Sequence, residues 1–311
     1  TCMKGIELAA QVDDPSSELL IHFWAATILL SFRGDPEAAA RHISSSLSAA
    51  ERLRHHFYLG RVLYLSEGAA RIRGDWVKAR DSSDQGLAVS PQESRLLSGR
   101  SLLEFKQGSF EERISYLDQI EEVVRLIPPG PTIARSSLAA LPPTLSRISG
   151  SDHGTDITRS AAQTVLSSPT ATPLMVLWAA PGPALLAVQS GDGAAARERY
   201  DALVGAPGQE ILIVMGISTL RLLGLLAYTM GDMDQAAAHF EDALAFCRNA
   251  GFRPEVAWIC CDYSDTLRER DAAEDRVKAI ALLDESLAIS SELGMRPLME
   301  RVLSRREILK A

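Results

Sequence analysis

One short turn returns along this chain at a nearly constant interval, and that interval restricts the possible folds more than any other feature. Glycine followed by Asp or Ser, then by a run of small residues, occurs at Gly34-Asp35, Gly74-Asp75, Gly108-Ser109, Gly191-Asp192 and Gly231-Asp232. The first spacings are 40 and 34 residues, and Gly150 divides the long interval that follows into 42 and 41. Repetition on this scale marks stacked helical units, each unable to bury its apolar face alone. A second marker alternates with the first. Pro91, Pro128, Pro169, Pro207, Pro254 and Pro297 follow one another at 37, 41, 38, 47 and 43 residues. Proline lacks the N–H a helix interior needs but is accepted at a helix's first position. The glycine turn therefore closes a hairpin, and the proline separates it from the next.

The local chemistry agrees with this division. Asp35-Pro36 reads as a cap followed by a first helical residue, and Ser90 to Glu93 and Ser109 to Glu112 fit the reciprocal capping box. Asp232 to Gln235 is a near variant. After the caps, Ala236, Phe240, Ala243, Leu244 and Cys247 lie on one helical stripe, as do Ala279, Leu283, Ser286 and Leu287. The pattern predicts an all-α array of seven hairpins spanning 1–311: 16–33 with 35–53, 55–73 with 75–89, 91–107 with 109–127, 131–149 with 156–167, 172–190 with 193–204, 208–230 with 232–250, and 254–270 with 273–293. A closing helix follows at 296–310. In such an array each unit is expected to touch only its neighbours. The region 128–190 is less regular: nine of the 15 prolines fall between Pro128 and Pro183. Pro142-Pro143 and Pro181-Gly182-Pro183 stand inside expected first helices, where they should kink or break them. Neighbours tolerate this, or it changes the curvature of the stack.

Composition narrows the partners. The formal charge is −8, which argues against nucleic acid as the main partner. The segment from Gly294 to Ala311 departs from this balance, with Arg296, Arg301, Arg305, Arg306 and Lys310 against Glu300 and Glu307. Cys2, Cys247, Cys260 and Cys261 form no disulfide framework and read as small buried residues in a reducing compartment, the cytoplasm. The start, Thr1-Cys2-Met3-Lys4-Gly5, lacks the apolar core of a secretory leader and an initiator Met, so the chain reads as a piece of a longer protein. Residues 211–230 imitate a membrane span, but Arg221 in the middle costs about 2.5–3.5 kcal/mol on insertion scales. A buried helix with no membrane contact is expected.

The best-matching units, 208–293, carry the tetratricopeptide pattern in order. Leu223-Gly224 stands in the first helix, and Ala236, Phe240 and Ala243 in the second. Ala39 with Ile43 and Ala196 with Tyr200 keep part of it. The period is nearer 40 than 34 residues, so the helices are longer. This form, with the tail from Glu292 to Ser304, resembles the tetratricopeptide region of bacterial LuxR-type and maltose-activator-like signalling ATPase regulators and their cyclase-linked relatives. The resemblance implies a right-handed superhelix that senses or scaffolds beside a nucleotide-binding switch and an output domain.

Motifs for catalysis are missing. There is no Gly-Lys pair for a P-loop, no His-Glu-x-x-His, no Cys-x-x-Cys and no Gly-x-Ser-x-Gly. No metal and no cofactor is expected. His55-His56 point about 100° apart on a helix and read as surface polar residues. Ser151-Asp152-His153 is consecutive and reads as a loop, since adjacent positions do not build a relay. Glu121-Glu122 and Asp284-Glu285 read as solvated faces. What remains is the concave groove. By the register of the repeat, Arg221, Tyr228, Ser264 and Arg268 face it, with Trp24 and Trp178 in similar slots. Arginine and aromatic side chains are the usual anchors of protein interfaces. The expected function is a non-catalytic module for a protein or peptide partner, or for neighbouring domains of the same polypeptide. The alternative is a small-molecule receptor with its pocket in the kinked centre.

Overall fold

The computed structural model describes residues 14–109, 112–204 and 216–310, which are helical throughout with no strand. Helices α1 (Pro15–Phe32) and α2 (Pro36–Arg52) pack as a pair, then α3 (His56–Arg73) with α4 (Trp76–Val89) and α5 (Ser94–Gln107) with α6 (Glu112–Leu126). Next come α7 (Ile133–Ser149) with α8 (Thr155–Leu166), and then α9 (Pro173–Ala179) and α10 (Pro181–Ser190) before α11 (Gly193–Val204). The pairs α12 (Thr219–Thr229) with α13 (Met233–Ala250) and α14 (Arg253–Arg270) with α15 (Asp275–Glu292) precede α16 (Arg296–Lys310). Part of the expected 208–230 helix, with Cys2 and Pro207, lies outside the described residues.

Aspartates start many of these helices. The carboxylates of Asp14, Asp35, Asp75 and Asp232 accept from backbone N–H groups of Ser16 and Ser17, Ala38, Lys78 and Gln235. The third pair differs from the sequence reading. Ser90 ends α4 and Glu93 caps α5, accepting from Arg95 N–H at 3.4 Å and from its guanidinium at 2.7 Å. A carboxylate two residues from an arginine gains a charged partner there, so the helix begins three residues later than a capping box at Ser90 would place it.

The second helix of six of the pairs repeats one burial pattern at positions i, i+4 and i+7. It is Ala39, Ile43 and Ser46 in α2, Ala79, Ser83 and Gly86 in α4, and Thr158, Ala162 and Val165 in α8. It recurs as Ala196, Tyr200 and Leu203 in α11, Ala236, Phe240 and Ala243 in α13, and Ala279, Leu283 and Ser286 in α15. Where the middle position is Phe240 the first helix gives way: a Cβ at Gly224 would stand 2.9 Å from its ring. Ser46 and Ser286 hydroxyls donate across their pairs to the carbonyls of Leu19 and Ala257.

The prolines of the centre do not break α7. Pro142 and Pro143 stand inside a continuous helix. Pro143 has no N–H for the Ala139 carbonyl four residues back. Gly182 of α10 lies against that carbonyl so closely that a Cβ there would be 1.7 Å from the oxygen. The Pro143 carbonyl in turn accepts from Gln189 Nε2 at 2.6 Å. Pro181 does interrupt its helix, yet Ala180, between α9 and α10, keeps right-handed helical angles (φ −57°, ψ −36°). The run 173–190 is apolar enough by length and composition to cross a membrane, but this interruption divides it and α10 packs on α7 and α12.

Contacts are not confined to neighbouring pairs, contrary to the expectation for an open array. Helix α3 touches α14, and α16 touches both α5 and α7. The Trp76 indole N–H donates to the Leu293 carbonyl at 2.7 Å. The Gly34 turn meets Phe246, and the Gly74 turn meets Leu293. One apolar core joins Leu19, Leu30 and Tyr64 to Phe240 and Ile259; another joins Leu97 and Leu141 to Trp258, Met295 and Leu298. Each therefore draws on both ends of the chain.

Candidate functional site

Helix α14 explains why a charged site forms at the axis. It is buried on nearly every face, and Glu255 and Asp262 are buried with it. Carboxylates so placed need cationic partners. Arg221 of α12 reaches both: its Nε lies 2.8 Å from Asp262 Oδ2 and its Nη1 3.0 Å from Glu255 Oε2. Ser218, at the start of α12, donates its backbone N–H to the other Glu255 oxygen at 2.8 Å. From the other half of the molecule, Arg147 of α7 places Nη2 2.7 Å from Asp262 Oδ1. Arg301 of α16 donates to the Arg147 carbonyl. The Trp258 ring carries two guanidinium groups, Arg301 at 4.9 Å and Arg221 at 5.3 Å from its centroid. Asp262 thus ties α7, α12 and α14 together.

The ionisation states follow. Burial works to raise the Asp262 carboxyl, but Arg147, Arg221 and Arg301 outweigh it and hold it at about 2. Burial lowers Arg301 to about 10, with Arg147 adding to the effect. At Asp265 burial prevails and raises the carboxyl, although Arg305 Nε stands 2.8 Å away. Burial pushes the Cys261 thiol up to about 12, and the Cys247 and Cys260 thiols rise for the same reason. These thiols are buried and unpaired, as the sequence suggested for them.

Over this network opens a cleft of about 640 Å³. Leu225, Tyr228 and Thr229 of α12 form one wall, Asp265, Thr266 and Glu269 of α14 the next, and Arg301 and Arg305 of α16 the third. An acidic wall thus faces a basic one, with the Tyr228 phenol on the remaining one. Burial, with Asp265 nearby, raises the Tyr228 hydroxyl, so Tyr228 remains a hydrogen-bond donor at neutral pH. A second cleft, of about 660 Å³, lies where the α1–α2 turn meets the α13–α14 turn, with Arg33, Arg73, Arg248 and Arg253 on its rim. Glu285 and Glu292 hold Arg248 and Arg253.

The six residues singled out in the sequence separate here. Tyr228 lines the first cleft, Arg221 is buried in the charge network beneath it, and Arg268 stands 3.8 Å from Asp265 at its edge. Ser264 is buried and donates to the Cys261 carbonyl at 2.7 Å, within its own helix. Trp24 is 49% exposed on α1, edge-on to Phe23. Trp178 on α9 lies beside Tyr64 with Arg95 over its ring at 5.5 Å. The structure does not bring the two tryptophans to the cleft. Sequence reasoning missed Arg147, Asp262, Arg301 and Arg305. A carboxylate between Trp258 and Tyr263, one heptad after Glu255 on the same helix face, is the signal that points to Asp262.

The remaining motifs are structural. Asp152 organises the loop before α8, accepting from the N–H groups of Gly154 and Thr155, while His153 Nε2 pairs with Ser149 Oγ at 2.8 Å. No relay through Ser151 forms. His55 and His56 are exposed. Among the described residues, no group of His, Cys, Asp and Glu is placed to hold a metal ion. Comparison with protein-family models gives no match, and neither does comparison with curated proteins.

Proposed function

We propose that this chain is a tetratricopeptide-like superhelix of seven hairpins whose concave cleft binds a protein or peptide segment, and that it serves as the non-catalytic sensor or scaffold arm of a cytoplasmic multidomain regulator. The observation that carries the reading is the cleft. First helices from separate pairs converge on it, with Tyr228, Glu269, Arg301 and Arg305 presented together. The repeated small–large–small burial in the second helices supports the repeat assignment. Binding at such a cleft changes how the pairs stack, which is how a ligand would bias an attached switch. The partner in this reading is a neighbouring domain or a separate polypeptide rather than nucleic acid, because the chain is acidic overall.

The test is calorimetric titration of mixed-charge decapeptides against the wild-type chain, Tyr228→Ala and Glu269→Lys. Micromolar binding weakened about tenfold in Tyr228→Ala is expected. Binding that both variants leave untouched removes the cleft as the recognition surface. The cleft volume also lies within the about 300–1,000 Å³ of small-molecule sites, which favours a second reading as an inducer receptor. The irregular centre contributes Arg147 and Val188 to the lining of that pocket. In a metabolite screen, one compound raising the unfolding midpoint strongly, with no peptide binding, would decide for the receptor.

A further inference from the structure

Beside the cleft, with Arg147 on the wall of both, is a cavity of about 20 Å³ between α5, α7, α10, α12 and α14. Lys106, Thr144, Arg147, Gly216, Arg221 and Trp258 are among its lining residues, and no carboxylate is among the described ones. Lys106 is buried, and among the described residues its ammonium has one acceptor, the Gly216 carbonyl at 3.4 Å, longer than a good charged hydrogen bond. Trp258 is 1% exposed, and its indole N–H has no partner among the described residues. Arg147 Nε is buried and likewise without one. A Cβ at Gly216 would stand 3.0 Å from Arg71 Nη1 and 3.1 Å from Lys106 Nζ, so two cationic groups face the same backbone position.

The local charges do not balance. Apart from the Arg71–Glu67 pair, Lys106, Arg147, Arg221 and Arg301 share Glu255 and Asp262 among the described residues. Glu67 is itself pushed towards its neutral form by burial, against the pull of Arg71. A buried cation without compensation costs several kcal/mol. A water molecule fits the volume, but water has hydrogens to donate as well, and the walls are rich in donors. An anion accepts from all of them and supplies the missing charge.

We propose that this cavity is a binding site for one small monovalent anion of halide size, held by Lys106 Nζ, Arg147 Nε and Trp258 Nε1. Lys106 and Arg147 come from the first half of the molecule, and Trp258 from the second. The ion therefore fastens the closure between the halves, independently of what the outer cleft binds.

The test uses the full chain at constant ionic strength with sodium gluconate replaced stepwise by sodium bromide. The unfolding midpoint of the wild type should rise saturably by about 5 °C. Lys106→Met should abolish that rise while retaining a midpoint in gluconate at least equal to the wild type's, because a buried charge is gone. Crystals soaked in bromide should show an anomalous peak within the cavity. A rise that persists undiminished in Lys106→Met, a wild type indifferent to bromide, or a cavity without the anomalous peak overturns the proposal. Should Lys106→Met not fold, Trp258→Phe, which removes the indole donor, carries the comparison: a rise less than half the wild type's supports the site, and an undiminished one refutes it.

Discussion

Asp262 is the residue on which the axis depends. It accepts from Arg147 on one side and Arg221 on the other, and Arg301 stands near enough to help depress its acidity. Removing its charge leaves Arg147 without its carboxylate partner and Arg221 with Glu255 alone. Asp262→Asn is therefore expected to lower the free energy of unfolding in urea by about 3–5 kcal/mol at neutral pH. A loss below about 1 kcal/mol would show the network to be dispensable. The pH dependence has a defined sign. The folded-state value of about 2 lies below the ordinary 3.8, so the contribution is complete above about pH 4 and is lost as pH falls through 2. The difference corresponds to about 2 kcal/mol. The acid limb of the stability curve should be shallower by that amount in Asp262→Asn.

At the scale of the helix, the crossing of α7 and α10 makes two irregular proline segments into one joint. Pro143 leaves the Ala139 carbonyl without its helical donor, and the space a normal turn would fill receives Gly182. Gly182→Ala should force the helices apart and cost about 3 kcal/mol or more, since the obstacle is backbone rather than a movable side chain. Gly193→Ala, whose Cβ would meet its nearest neighbour at 3.4 Å, should be close to neutral in the same urea titration. Equal effects would mean that Gly182 is not held against α7. The sequence allowed each proline pair to be seen as irregular, but not that one answers the other, because their meeting is set by how α7 and α10 cross. Elements were legible for the opposite reason. Caps such as Asp35 and Asp232, the glycine turns and the apolar stripes are local, and local chemistry decides where a helix begins and ends. Of the cleft, Tyr228 and the neighbourhood of Arg221 were legible from register within one pair. Arg147 and Arg301 were not, because they arrive from helices more than 150 residues apart in the chain.

For the whole molecule, the consequence concerns α16. In an array bound only by neighbours, a terminal helix protects the pair before it and nothing else. Here α16 buries Met295, Leu298 and Val302 in a core shared with Leu97, Leu141 and Trp258. Its Arg301 donates to the carbonyl of Arg147, its Arg305 pairs with Asp265, and the Gly108 turn rests on Pro297. Deleting residues 294–311 would open that core along α5 and α7 as well as α15, and would expose the Trp258 face that Arg301 covers. Amide hydrogen exchange is the measurement with the needed resolution along the chain, since it reports local opening element by element. The truncated chain is expected to lose protection in α5 and α7 by tenfold or more, while α1 and α2, which α16 does not touch, keep theirs. Faster exchange confined to α14 and α15 would be the behaviour of an open stack and would contradict the closure. The same truncation should remove one wall of the cleft, because Arg301 and Arg305 leave with the helix. Contacts between distant helices therefore make the cleft and the stability of α5 and α7 depend on the same terminal segment, a coupling that an open array lacks.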